Sequence, residues 1–188
     1  MADLTTQDVD AFTNGRLAHD AAQTARLLAA GLGAARRYCG WHVTPPNADV
    51  VTLDGPGSPL LVLPTLRLVS LTGVVEEGIT ADLAYVDWSV RGLLRKRTGY
   101  AGGDYGLGHC WTAKLGGLTV SMNHGFAEAP EWQSAVLSYI DRTSLAASVG
   151  GRETVGPFSF PGTTVASGTA FTDSEKMLLD LYRLEPSV

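Results

Sequence analysis

Residues 20–43, DAAQTARLLAAGLGAARRYCGWHV, constrain the fold more than any other stretch of the chain. Leu28, Leu32, Ala35 and Cys39 recur at helical spacing, flanked by Leu27, Gly31, Ala34 and Tyr38, while Arg26, Arg36 and Arg37 fall between or beside them. Asp20 is expected to cap the first free amides, with Gln23 three residues on reaching back in a capping box. Ala29, Ala30, Gly31, Gly33, Ala34 and Ala35 leave so little side chain that another helix can come close. Each Gly costs about 1 kcal/mol of helix propensity relative to Ala, so close packing is expected to offset that cost. Gly40 reads as a left-handed C-terminal residue, Arg36 and Arg37 suit the negative end of the dipole, and Trp41 follows where it can fold back. This helix is the expected spine.

The 188 residues are expected to form one domain elaborated by an insertion. Charged residues make up 18% of the chain, below the roughly 25% usual for a soluble domain. Either copies or partners cover much of the surface, since interface cores are depleted in Lys, Glu and Asp, or the chain is a compact Gly-rich monomer. A net charge of −5 argues against gripping nucleic-acid backbone by counterion release, though not against DNA passing by. No run approaches a membrane span, and MADLTTQDVD lacks the regions of a secretory signal, so the expected compartment is the cytoplasm. Cys39 and Cys110, the two cysteines, are expected to be reduced.

Thr5 or Thr6 begins a short helix, TQDVDAF, expected to bury Val9 and Phe12 and to stop at Thr13-Asn14-Gly15. After Pro45 and Pro46 the pattern changes to period two. Residues 50–78 read as strand, Gly/Pro turn, strand, a break at Pro64 and a third strand over 66–75, the natural arrangement being an antiparallel sheet. Residues 85–90 and 93–97 read as a hairpin across Arg91-Gly92, and 118–123 as a last strand. Helix returns at Ala129-Pro130-Glu131, with Trp132, Val136, Tyr139, Ile140 and Thr143 in one stripe and Leu137 and Leu145 beside it. Gly150-Gly151 breaks it. An arm follows, VGPFSFPGTTVASGTAF, too rich in Gly, Pro, Ser and Thr for regular structure of its own. A final helix is capped by Thr172 or Asp173, with Glu175 in its first turn and Met177, Leu178, Leu181, Tyr182 and Leu184 as its apolar residues. The fold class is α+β: a small helical core with an inserted antiparallel β-rich region and an extended C-terminal arm ending in a helix. Its parts are residues 1–48, 49–126, 127–150 and 151–188.

Candidate chemistry is sparse. Cys39, His42, His109 and Cys110 offer four zinc-type ligands, but adjacent His109 and Cys110 would point to opposite faces of a strand, and a buried Cys39 is the better reading. His19, His124 and scattered Asp and Ser residues belong to no nucleophile elbow, HExxH or Walker motif, so no catalytic, metal or cofactor residue is assigned. The Gly-rich stretch 99–108 has neither a following helix start nor a Lys-Ser or Lys-Thr pair, and reads as a hairpin tip. Arg91, Arg95, Lys96 and Arg97 precede it as a solvated face or a contact with DNA phosphate or an acidic partner. Arg95, Lys96, Arg97, Tyr100, Asp104 and Tyr105 are the candidate channel-facing or partner-facing set.

Phe158 and Phe160 alternate around Ser159 between Pro157 and Pro161, so extended backbone would send both rings to one side, ready for a partner's apolar pockets. Phe171, Leu178, Leu181 and Tyr182 are expected to continue that contact. The competing reading is that the arm wraps its own subunit.

Six stretches, in order, span almost the whole chain: LTTQDVDAFTNGRL, AARRYCGWHV, TLDGPGSPLLVLPTLRLVSLTGV, MNHGFAEAPEWQSAVLSYIDR, VGPFSFP and FTDSEKMLLDLYRLEP. Together they resemble the head-to-tail adaptor proteins of long-tailed actinobacterial phages and, more distantly, the wider head-completion or connector family. The resemblance implies a non-catalytic virion subunit at the head-tail junction, assembled in the host cytoplasm. It also implies a homo-oligomeric ring, usually of twelve, below the portal protein. Such a ring extends the channel for double-stranded DNA, without sequence-specific binding, and docks the next neck or stopper protein. A stopper or tail terminator would lean more on β structure and lack the long first helix. A carbohydrate-binding or hydrolytic domain would need a cleft with convergent polar groups, which the sequence does not show.

Overall fold

A computed structural model describes residues 3–97, 110–148, 154–155, 158–159 and 170–185. Among them are four α-helices and antiparallel sheets, an α+β fold. The chain divides into two compact units, one of residues 2–40 and 129–183, the other built on 41–128.

The first unit is helical. In α1 (Thr6–Phe12) the Thr5 hydroxyl accepts from the Asp8 amide while the Asp8 carboxylate accepts from the Thr5 amide, a full capping box. Asn14 and Gly15, at φ 51° and 81°, turn the chain away. Val9 is buried as expected, but Phe12 is exposed, because a seven-residue helix directs only one narrow face inward.

Helix α2 (Ala22–Cys39) begins later than Asp20 predicts: Ala21 takes the extended N-cap position, and no side chain caps it. The helical frame therefore leaves Asp20 one residue too early to act as the cap. At the other end Gly40, at φ 82°, donates its amide to the Arg36 carbonyl. The buried register is Thr24, Leu28, Gly31, Ala35 and Cys39. The thin stripe is used at one point, where a Cβ on Gly31 would come within 2.9 Å of Ile140 Cγ1 on α3 (Pro130–Ser148). A Cβ on Gly33 would meet nothing within 4 Å, so no packing offsets the cost of that glycine. Helix α3 buries Trp132, Ala135, Val136, Tyr139 and Ile140, with Leu145 exposed and Thr143 half-buried. Helix α4 (Asp173–Asp180) opens on Thr172 in a second capping box with Glu175.

In the second unit the strands are β1 (Asn47–Leu53), β2 (Leu60–Val62), β3 (Leu68–Glu76), β4 (Ile79–Thr80), β5 (Val86–Trp88), β6 (Leu93–Lys96) and β7 (Leu118–His124). Strands β1 and β2 do not pair across the Gly/Pro turn. β1 pairs instead with β7, Val51 opposite Val120, in a four-stranded sheet ordered β1-β7-β3-β4. The expected β5–β6 hairpin forms, Gly92 turning it at φ 76°, and β2 joins the other side of β6 in a three-stranded sheet. Leu61, Leu68, Leu94, Leu118, Met122 and Trp111 fill the core. Two short strands, β8 (Thr154–Val155) and β9 (Phe158–Ser159), pair with each other as a separate hairpin.

Candidate functional site

Strand alternation divides the basic run before the Gly-rich stretch. On β6, Leu94 and Lys96 point inward while Leu93 and Arg95 point outward, so Lys96 belongs to the interior and not to a partner-facing surface. Its Nζ lies 2.6 Å from Glu76 Oε2, both side chains being 1% exposed. The ammonium also donates to the Cys110 carbonyl at 2.9 Å and sits 4.6 Å from the centre of the Trp111 ring. Glu76 Oε1 accepts from the Thr112 amide at 2.6 Å. One buried ion pair thus fixes both Lys96 and the backbone at Cys110 and Thr112. Arg95 is exposed, opposite Leu60 and Asp87, and Arg97 donates to Asp87 at 2.7 Å in an exposed pair. Tyr100, Asp104 and Tyr105 lie outside the described residues, as does His109.

Of the arm residues, Phe158 belongs to β9, and Phe160 lies outside the described residues. Phe171 is buried, its ring centre 4.8 Å from that of Tyr139 and 6.0 Å from that of Tyr38. Tyr182 is buried and donates to Glu131 at 2.5 Å. Burial first, and that hydrogen bond second, push the Tyr182 phenol above its ordinary range, and the same bond holds Glu131 below the usual carboxylate range. These two rings of the expected contact therefore pack inside their own unit. Leu178 is half-buried, while Met177 and Leu181, at 73% and 64% exposed, form an outward apolar pair one turn apart. Leu179, not singled out from the sequence, is the fully buried leucine of α4, with Glu175 one turn before it. Arg142 of α3 makes that burial possible: its Nη2 lies 2.9 Å from Glu175 Oε2 and donates to the Ala170 carbonyl at 3.0 Å.

The remaining ionisable groups serve packing. The buried Cys39 thiol donates to the Leu179 carbonyl at 3.7 Å, and burial pushes its pKa up to about 12. Cys110 is exposed and free. His42 and His124 meet edge to face with ring centres 4.3 Å apart, Trp41 stacks on His124 with ring centres 5.9 Å apart, and His42 Nε2 meets the His124 carbonyl at 2.8 Å. Burial, then the neighbouring His42, holds the His124 pKa below its ordinary value. Among the described residues no group of three or more His, Cys, Asp or Glu is placed to hold a metal ion, and no helix is long and apolar enough to cross a membrane.

One concave surface has strand edges for walls. The end of β1 (Thr52, Leu53), Asp54, Gly55 and the exposed Leu60 and Val62 of β2 line an open groove of about 520 Å³.

No protein-family model matches the sequence, and no curated protein sequence matches it. Solved structures do share its fold. A chain in the neck of a native GTA particle, computed with C12 symmetry, superposes with a TM-score of 0.56 at 13% identity, covering 100% of this chain and 95% of that one. A chain in the neck of an empty GTA particle, computed with C6 symmetry, gives 0.54 at 15% identity, covering 98% and 91%. A chain in the virion of a native gene transfer agent particle gives 0.53 at 14% identity, covering 100% and 95%. The chain is thus similar in fold, over nearly its whole length, to chains of gene transfer agent particles.

Proposed function

We propose that this chain is a structural subunit of a virion neck: a head-to-tail adaptor that forms a ring, of twelve copies, beneath a portal. The ring extends the DNA channel and docks the next neck protein. The observation that carries this reading is the fold likeness to a GTA neck chain at a TM-score of 0.56, with 100% of this chain and 95% of that one covered. The ordered sequence stretches point to the same class independently. The helical unit, with its 18-residue α2 and 19-residue α3, favours an adaptor over a stopper or tail terminator. A charge fraction of 18% suits a subunit whose surface is covered by neighbours, and the role is structural, not catalytic. The assembly contact lies on the arm and on the outward face of α4, where Met177 and Leu181 stand clear of their own unit.

Mixing the chain with its matching portal and measuring complex mass by native mass spectrometry tests the reading. The expected product is a portal carrying a full ring of copies. A portal that acquires none, under conditions that support neck assembly, overturns it.

A further inference from the structure

Among the described residues, strand β2 has β6 on one side and, from Leu60 onward, no strand on the other. Its approach is closed where the Trp111 amide donates to the Ser58 carbonyl, and Pro59 confines the open edge to Leu60–Val62. Free edges are usually blunted by charge, proline or a covering element, because their unpaired amides and carbonyls recruit any extended peptide. The three residues of β2 carry no charge, and Leu60 and Val62 are 44% and 58% exposed. The end of β1, paired among the described residues with β7 alone, lines the same groove. What such a groove accepts is a short, uncharged, extended segment.

The chain supplies one. Strands β8 and β9 are two residues each and, among the described residues, pair with no third strand, an arrangement marginal in water without a sheet to join. Residues 154–172 contain no Asp, Glu, Lys or Arg, which matches an edge whose groove holds one carboxylate, Asp54, already engaged by the Gly116 amide at 2.7 Å. Helix α3 ends at Ser148, and the Ala170 carbonyl is held by Arg142. With β8 beginning at Thr154, the hairpin can start up to roughly 20 Å from the end of α3 at about 3.3 Å per residue.

We infer that the β8–β9 hairpin of one copy adds to the free edge of β2 in the next copy of the ring. This rests on the neck-ring reading and names its subunit contact. The interaction is head to tail, donor hairpin to acceptor edge, so repetition under rotation closes a ring instead of stopping at a dimer. Main-chain pairing supplies the register, and Leu60 and Val62 supply the apolar surface.

The test places benzoylphenylalanine at Val62, an exposed position, in equal mixtures of ¹⁵N-labelled and unlabelled chains assembled on the portal. After irradiation, cross-linked peptides are mapped by mass. The expected result is a link from position 62 to residues 154–159, in mixed-isotope pairs as often as in same-isotope pairs. Same-isotope links alone mean that the hairpin packs on its own chain, and links elsewhere, or none, mean that β2 takes another occupant; each overturns the inference. Native mass of the same sample separates the two readings, since a full ring lacking the link sinks the docking alone, whereas no ring sinks the neck reading with it. Leu60→Lys, on a face already exposed, is expected to leave the thermal melt unchanged and to raise the concentration needed for assembly about tenfold; unchanged assembly also overturns the inference.

Discussion

Lys96 and Glu76 form a buried ion pair, Nζ to Oε2 at 2.6 Å, and the same ammonium holds the Cys110 carbonyl, so one interaction secures both flanks of residues 98–109. Removing one partner strands the other charge in the core, at a cost of about 3–5 kcal/mol, while replacing both with apolar residues of similar size avoids that penalty. Lys96→Met and Glu76→Leu are each expected to lower stability by about that amount, and the double variant to recover most of it. Urea unfolding of the three variants gives the answer. Additive losses would mean that the two side chains do not act as a pair.

Gly31 and Gly33 lie on one helix and predict opposite outcomes. Alanine at 31 meets Ile140 Cγ1 at 2.9 Å, and Ile140 is wholly buried and cannot swing aside. Alanine at 33 meets nothing and gains about 1 kcal/mol of helix propensity. Gly31→Ala is therefore expected to lower the melting temperature and Gly33→Ala to raise it. Equal shifts in one direction would refute the close approach of α2 and α3.

His124 makes stability depend on mild acid. Burial and the neighbouring His42 lower its folded pKa from 6.5, and Asp49, at 3.6 Å, counters them only in part. Below pH 6.5 the unfolded chain takes up a proton that the folded chain resists, so stability is full above that value and falls as pH drops toward the folded pKa. Glu131 acts at lower pH: its folded pKa is depressed from 4.5, and its contribution is lost as pH falls through that depressed value. Denaturant midpoints are expected to decline between pH 7 and pH 5 in the native sequence and to flatten over that interval in His124→Phe. A slope that survives the substitution assigns the effect to other groups.

The spacing of apolar residues marks α2, α3 and the β5–β6 hairpin because each is specified by neighbours in sequence. The features that escape it are set by partners far along the chain. Period two places Lys96 with Leu94 on the inward face of β6, but nothing local announces Glu76, twenty residues earlier, as its counter-charge. On α4 the buried register is Glu175 and Leu179, continued by Tyr182 just past the helix, and it is hidden because its first member is a carboxylate neutralised by Arg142 of α3. The Gly/Pro turn after β1 looks like a hairpin, yet the partner of β1 is β7, about seventy residues on. Hydrophobicity alone assigns the arm residues to a contact with a partner, and Phe171 and Tyr182 meet that need inside their own unit.

That division of α4 gives the sharpest test of the assembly surface. Leu179 and Leu181 are two residues apart and face opposite ways, the first fully buried, the second 64% exposed next to Met177. Leu179→Ala removes core packing and is expected to cost about 2–5 kcal/mol, visible in thermal unfolding of the isolated chain. Leu181→Glu and Met177→Glu change exposed positions and are expected to alter stability by less than about 0.5 kcal/mol. If the outward face of α4 is an assembly surface, the glutamate variants nevertheless fail to join the portal, because a carboxylate placed in an apolar contact has no partner there and must be desolvated. Circular dichroism melts beside native mass of the portal mixture separate folding from assembly. Glutamate variants that fold normally and still complete a ring would remove α4 from the contact.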